Sequence, residues 1–366
     1  MVSTTEQPAK PAAGGGLQRS LLRLPVRKIL LWIISVVLVI GLTAGIRANL
    51  AEGVLTFANY RSFFIDGLAQ GSLYAVIAVG YTLVYGILFL INFAHGEVFM
   101  AGAFTSFFLA RTLDESGFLD ANPVVSILIL LIISMVVSTL TAILLERIAY
   151  RRLRGAPRLI PLITAIGASL FLQNTFRGLY GASTRGYPIP DGLKGRWDIF
   201  GIPILKTQTI VIIGAALLMI GLYLFIERTK TGRSMRAVGE DKEIASLMGV
   251  DVDKVIVQTF AIGGMLAGAA GVLWAMVLGQ VNAFMGFIPG IKAFTAAVLG
   301  GIGNIVGAAV GGVLLGVLES LAPNLFLPPS IPSPNQLKDG VAFTVLVLIL
   351  IFRPGGLLGS SEEEKA

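Results

Sequence analysis

Long apolar runs separated by short polar stretches set the pattern of this chain. They cover approximately residues 29–46, 64–90, 91–110, 123–145, 159–178, 208–226, 256–278, 290–303, 305–321 and 338–352. Several reach the ~20 residues that a helix needs to cross a hydrocarbon core. The runs are continuous rather than alternating, which selects helices over the strands of a transmembrane barrel. The pattern predicts an all-α polytopic membrane protein of about 8–10 transmembrane helices. Two pairs of runs are joined too tightly for ordinary hairpins. Runs 64–90 and 91–110 meet around "LINFAHGE", and 290–303 meets 305–321 at "GGIGN". As a helix, 290–303 spans only about 21 Å, short of the ~30 Å core. Such short or glycine-broken segments are tolerated in membranes where they are buried in protein or line a cavity.

Residues 1–20 are polar and rich in Ala, Gly and Pro, a composition that predicts disorder. Run 29–46 follows "RLPVRK"; it is longer than a signal-peptide core and no small-x-small cleavage site follows it closely. An uncleaved membrane helix is the expectation. With a cytoplasmic N-terminus, alternation places 1–28, 146–158, 227–255 and 353–366 inside, and those segments hold 18 of the 28 Lys and Arg residues. The positive-inside rule favours this orientation, with both termini cytoplasmic.

Composition agrees with the pattern. The chain is 55% hydrophobic and only 13% charged, with a mean hydropathy of +0.83. Soluble domains carry roughly a quarter charged residues. The net charge of +7 is scattered between the runs rather than gathered on one face, so nucleic acid is not indicated. There is no cysteine, which excludes disulfides, cysteine metal sites and thiol catalysis. The single histidine, His95, argues against a zinc site, and no nucleophile elbow accompanies it. No Gly-Lys dipeptide occurs, so the chain holds no phosphate loop. No metal and no cofactor is expected.

The glycine-rich run "AVLGGIGNIVGAAVGGVLLG" fails the dinucleotide pattern: Gly301 and Gly303 fit, but Val306 stands where the third glycine is required. Gly307/Gly311, Gly312/Gly316, Gly264/Gly268 and Gly67/Gly71 instead fall four apart, the spacing that lets membrane helices approach closely. Two readings of His95 stand: a buried helix-end histidine bonded to a neighbour, or, with Asn92 and Glu97, a polar hinge beside a translocation path. Gly301, Gly303 and Asn304 form the matching candidate at the second junction. An ionised Glu at the bilayer centre costs on the order of 3 kcal/mol, so Glu97 is expected near the cytoplasmic edge or paired.

One stretch interrupts the apolar pattern: "RSMRAVGEDKEIASLMG", residues 233–249. "GEDKEIASLMG" predicts a short helix, with Glu240, Asp241 and Glu243 at its positive end and Gly249 as its stop. A second short helix, "RSMRAV", is expected before it, ending at Gly239. Ile244, Leu247 and Met248 share one face, and Lys242 falls off that face and is expected to be replaceable. Three large apolar residues on a cytoplasmic helix call for a partner. Because the helix begins acidic, another protein's groove suits it better than an anionic membrane surface.

"GRSMRAVGEDKEIASLMGV" resembles the coupling segment of ABC importer permeases, specifically the branched-chain amino acid permease family. "YAVIAVGYTLVYGILFLINFAHGEVFMAG" and "AFTAAVLGGIGNIVGAAVGG" are similar to that family's two other hallmark stretches, and the resemblance covers roughly residues 60–357. It implies an ABC importer permease fold with short or broken central segments, in a bacterial inner membrane. It also implies two ATP-binding subunits, a second related permease and an extracytoplasmic substrate-binding protein as partners. The cargo it implies is branched-chain or other apolar amino acids. Carried over by position, Arg233, Arg236, Ala237, Glu240, Asp241, Ile244, Ala245, Leu247, Met248 and Gly249 lie in the segment that contacts the ATPase. The implied layout is a tail over 1–28, an additional helix and loop over 29–60, a permease domain over 61–357 with its coupling segment at 227–255, and a polar tail over 358–366. The related urea or short-chain amide permease is the alternative within this class. From other classes, an ion-coupled carrier lacks support, because Asp66, Glu97 and Glu319 are few and near predicted ends. An intramembrane enzyme lacks a legible catalytic set.

Overall fold

The computed structural model describes residues 43, 47, 56–157, 159–199, 202–326, 337–353 and 355–359. Apart from Thr43, the expected helix over 29–46 lies outside the described residues, as do the tail before it and most of the C-terminal tail. Helix α1 spans Phe57–Leu88, α2 His95–Glu115, and α3 Pro123–Leu145. A π-helical turn, Glu146–Tyr150, and a 3-10 turn, Arg151–Leu153, prolong α3. Then follow α4 (Leu159–Tyr180), α5 (Lys206–Arg228), α6 (Lys230–Glu240) and α7 (Lys242–Leu247). The last four helices are α8 (Val252–Leu278), α9 (Phe287–Gly300), α10 (Ile305–Phe326) and α11 (Lys338–Phe352).

Among the described residues, six helices are long and apolar enough to cross a membrane: α1, α3, α4, α5, α8 and α10. Helix α9, at 14 residues, is short as the sequence predicts, although it starts at Phe287 rather than at 290. The sequence is apolar all round on α1 and α8, and these are the helices enclosed by protein. Helices α3, α4 and α5 turn most of their surface outward, through side chains such as Leu128, Ile132, Phe171 and Leu217. That is the distribution expected of a bundle whose rim faces lipid.

Small residues set how closely the central helices pack. A Cβ at Gly71 of α1 would stand 2.7 Å from the Val313 carbonyl oxygen of α10, and one at Gly67 2.8 Å from the Val317 Cα. On α8, Gly264 and Gly268 meet the backbone of α3 at Ser138 and Ser134. There the Ser134 hydroxyl donates to the Gly268 carbonyl (2.7 Å), and Ser138 Oγ to the Val98 carbonyl of α2 (2.7 Å). The four-residue glycine spacing therefore serves helix packing.

Four short strands lie in the connections. Strand β1 (Arg185–Gly186) pairs antiparallel with β4 (Gln280–Val281), and β2 (Arg196–Ile199) with β3 (Ile202–Leu205). They gather at one end of the bundle. The opposite end holds the α1–α2 and α9–α10 junctions, the α3 extension, α6–α7 and residues 355–359. Contacts tie this end together: Arg151 pairs with Asp253 (2.8 Å), and the Leu357 N–H donates to the Leu299 carbonyl (2.8 Å).

The candidate coupling and translocation site

The first junction begins where Phe89 adopts a left-handed backbone (φ 56°, ψ 30°), its N–H donating to the Tyr85 carbonyl at 2.7 Å. Among the described residues it is the only non-glycine with positive φ. Asn92 lies in the link, with its Oδ1 accepting from the Tyr150 hydroxyl (2.7 Å). His95 opens α2, its ring 4.7 Å from that of Tyr81 on α1. Glu97 is 0% exposed, and its Oε1 accepts from Ser169 Oγ (3.1 Å) and Gln173 Nε2 (2.6 Å), both on α4. Among the described residues no cation faces Glu97: its Oε1 is held by two neutral donors and its Oε2 has no hydrogen-bond partner, so it is hydrogen-bonded rather than ion-paired. Asn92, His95 and Glu97 thus address three different helices, rather than one another.

The second junction is built by glycine. Gly301 (φ 108°) and Gly303 (φ 94°) hold backbone that side-chain-bearing residues avoid, which stops α9. Asn304 then caps α10: its Oδ1 accepts from the Gly307 N–H (2.9 Å), and its Nδ2 donates to the Leu358 carbonyl (2.9 Å). The fold brings the two junctions together, since a Cβ at Gly86 would lie 3.8 Å from the Gly303 Cα. Between them opens a cavity of about 320 Å³, whose wall includes Gly86, Phe89, Met235, Arg236, Gly239 and Gly303.

Helix α6 closes the cavity on one side. It starts at Lys230, three residues before the expected "RSMRAV" helix, because the Thr229 hydroxyl accepts from the Gly232 N–H (3.0 Å) and caps it there. Gly232, Met235 and Val238 form its buried stripe. Gly239 sits so close to α1 that a Cβ there would be 2.9 Å from the Gly86 carbonyl oxygen. Arg236 donates to the Ile226 carbonyl (2.6 Å) and pairs with Glu227 (3.1 Å). Arg233, Ala237 and Glu240 are exposed.

The acidic cluster is divided differently from the sequence expectation. Glu240 closes α6, Asp241 is the N-cap of α7, and only Glu243 lies in the first turn. The cause is the Asp241 carboxylate, which accepts from the N–H groups of Glu243 (2.8 Å) and Ile244 (2.9 Å) and so fixes the helix start. Ala245 turns inward and is buried. Ile244, Leu247 and Met248 stand on the outside, Leu247 at 87% exposure and Met248 at 79%. Gly249 (φ 84°) ends the segment in left-handed backbone.

One polar cluster lies outside these candidates. Lys292 on α9, only 5% exposed, pairs with Glu319 on α10 (2.5 Å) and Asp339 on α11 (2.5 Å). Tyr74 offers its ring to the same ammonium at 5.8 Å. A single lysine within "FIPGIKAFTAAVLG" was the available signal, because an ionisable residue inside a membrane segment implies a partner. Glu319 is therefore committed to an ion pair, and Asp66 accepts from Gln208 Nε2 (2.6 Å).

A family model described as "Branched-chain amino acid transport system / permease component" matches residues 63–350. The chain belongs to this family. The permease protein BraD of a high-affinity branched-chain amino acid transport system from Pseudomonas aeruginosa is 44% identical over 312 residues, which cover 84% of this chain and 98% of BraD. The corresponding LivH of Escherichia coli strain K12 is 40% identical over 319 residues, again 84% of this chain and 98% of the relative. The autoinducer 2 import system permease LsrC of Yersinia enterocolitica is 31% identical over 196 residues, 52% of each chain. No solved structure matches. The chain is a polytopic membrane transport subunit and not an enzyme.

Proposed function

We propose that this chain is the membrane-spanning subunit of an ATP-driven importer for branched-chain or other apolar amino acids. The observation that carries the ATP-driven part is the projecting face of Ile244, Leu247 and Met248 on α7, next to the bundle. A helix face so exposed gains by insertion into another protein's groove. Two ATP-binding chains, a second related permease and an extracytoplasmic binding protein complete the assembly. The cargo assignment rests on the names of BraD and LivH, both matched along nearly their whole length.

In this reading the end carrying α6, α7 and both junctions is cytoplasmic, as are the termini, in a bacterial inner membrane. The basic residues Arg147, Arg151, Arg152 and Arg154 at that end support it. The cavity between the junctions is the inner mouth of the path. Its volume exceeds that of a leucine-sized cargo, and its wall is largely apolar, with Ile302 and Ile305 beside Met235. Of the junction residues, Phe89 and Gly303 line the mouth, while Asn92, His95 and Glu97 are buried behind it on Tyr150, Tyr81 and α4, and Asn304 caps α10. ATP binding by the partners shifts the balance between outward- and inward-open states by favouring one of them. Affinity purification of the tagged chain tests the proposal: ATP-binding chains are expected to co-purify, and their absence from an intact preparation refutes it.

A further inference from the structure

The sequence pattern places Lys242 off the docking face of α7, where it looks like a spectator. In the fold it turns inward. Its Nζ stands 5.8 Å from the centroid of the Phe89 ring, close enough for the ammonium to be held by the ring's electron-rich face. Burial first, and then the neighbouring Arg154, lower the Lys242 pKa below the ordinary lysine value. Phe89 is an unusual partner. It holds left-handed backbone without being glycine, the residue is 52% exposed, and it stands in the cavity wall beside Gly86 and Gly303. Tyr85, one turn earlier on α1, meets the ring edge-on at 6.1 Å. The Phe89 ring therefore lies between the last turn of α1 and Lys242 of the coupling segment. The end of α1 is thus held from two sides: Gly239 of α6 against the Gly86 carbonyl, and Lys242 of α7 over Phe89.

We infer that Lys242 and Phe89 form the contact through which movement of α7 reaches the α1–α2 junction, beside the direct packing of α6 on the cavity through Met235 and Gly239. Lys242 is a positioning residue, and Phe89 is the part of the path it positions. This rests on the ATP-driven reading and names the residues that carry the coupling. Helix α7 alone, docked outside, reaches nothing in the path: Ile244, Leu247 and Met248 face away from the bundle, and its other inward residue, Ala245, is a methyl group. Lys242 is the residue of α7 whose side chain reaches the cavity wall.

The test uses the whole importer in proteoliposomes and reads ATP hydrolysed per leucine imported, a ratio that a merely structural residue does not move. Lys242→Met and Phe89→Leu are each expected to retain the ATP-binding chains and their hydrolysis while raising the ratio about fivefold, the change that ~1 kcal/mol gives at 1.4 kcal/mol per tenfold. The double variant is expected to be no worse than either single one, because both remove one contact. Lys242→Arg and Phe89→Trp preserve the charge and the ring, and are expected to stay within about twofold of the parent. An unchanged ratio in Lys242→Met, or additive effects in the double variant, overturns the inference. Should Phe89→Leu fail to fold, the half-buried Lys242 still decides the matter through its Met and Arg variants. Absence of any ATP-binding chain from the parent importer would refute the ATP-driven reading itself, a different result from an unchanged ratio.

Discussion

Substituting Leu247 by Arg separates a docking knob from a surface loop. Leu247 is 87% exposed, so within this chain it has almost no packing to lose, and the folded permease should tolerate the change within about 0.5 kcal/mol. The same exposure means that nearly the whole side chain remains available for burial by a partner. Burying a leucine fully is worth roughly 1.5–3 kcal/mol. Arg forfeits that gain and brings an unpaired charge into an apolar groove, at a further cost. At 1.4 kcal/mol per tenfold, the lost burial alone weakens docking by about 10- to 150-fold. The assay is recovery of ATP-binding chains on the tagged permease over a range of their concentrations, together with labelled leucine uptake. Ser246→Ala is the control, because Ser246 is exposed but flanks the Ile244, Leu247 and Met248 face rather than joining it. The expected result is a normal amount of membrane-inserted Leu247→Arg protein with weakened ATPase recovery and little uptake. Uptake at the parent level would refute the reasoning and leave α7 a solvated surface helix with no docking role.

Further outcomes follow from the packing and the charges. Gly71→Val inserts a branched side chain where even a Cβ comes 2.7 Å from a carbonyl oxygen, so it should cost about 1–3 kcal/mol, read as a lower melting temperature in detergent; an unchanged melt contradicts the α1–α10 packing. Lys292→Met leaves Glu319 buried without its cation and should destabilise by about 3–5 kcal/mol, whereas Lys292→Met with Glu319→Leu should recover much of the loss. If the double variant is no more stable than the single one, the pair is not the source of the effect. Because the chain has no cysteine, single probes report topology without background. Cys at Gly155 should be shielded from an impermeant thiol reagent in intact cells and Cys at Ser183 should label, and the reverse pattern inverts the proposed orientation.

The sequence reveals most where one physical effect dominates. Continuous apolar runs name the membrane helices, and the four-residue glycine spacing names the close packings of Gly67 and Gly71 against α10. The short α9 and both junctions are legible too, because nothing else explains glycines at 301 and 303 inside an apolar run. What escapes is tertiary. No periodicity shows that the link after Leu88 and the link after Gly300 meet at Gly86 and Gly303, since that proximity is made by α1 crossing α10. The partners of Glu97 are equally hidden: Ser169 and Gln173 look like incidental polar residues on α4 until α4 is docked. Lys242 misleads because helical-wheel position says only which way it faces on α7, not that the end of α1 lies beneath it. The helix starts at Lys230 and Lys242 depend on individual caps, Thr229 and Asp241, and caps move a boundary by several residues without altering the hydrophobic pattern.

The most direct measurement of the central claim is leucine uptake into proteoliposomes containing this chain with its co-purified partners, followed with and without ATP on the side that α6 and α7 face. The account predicts uptake that requires ATP and the extracytoplasmic binding protein, and that continues when proton and sodium gradients are abolished. Uptake that proceeds without ATP and follows an ion gradient would contradict it and identify a secondary carrier.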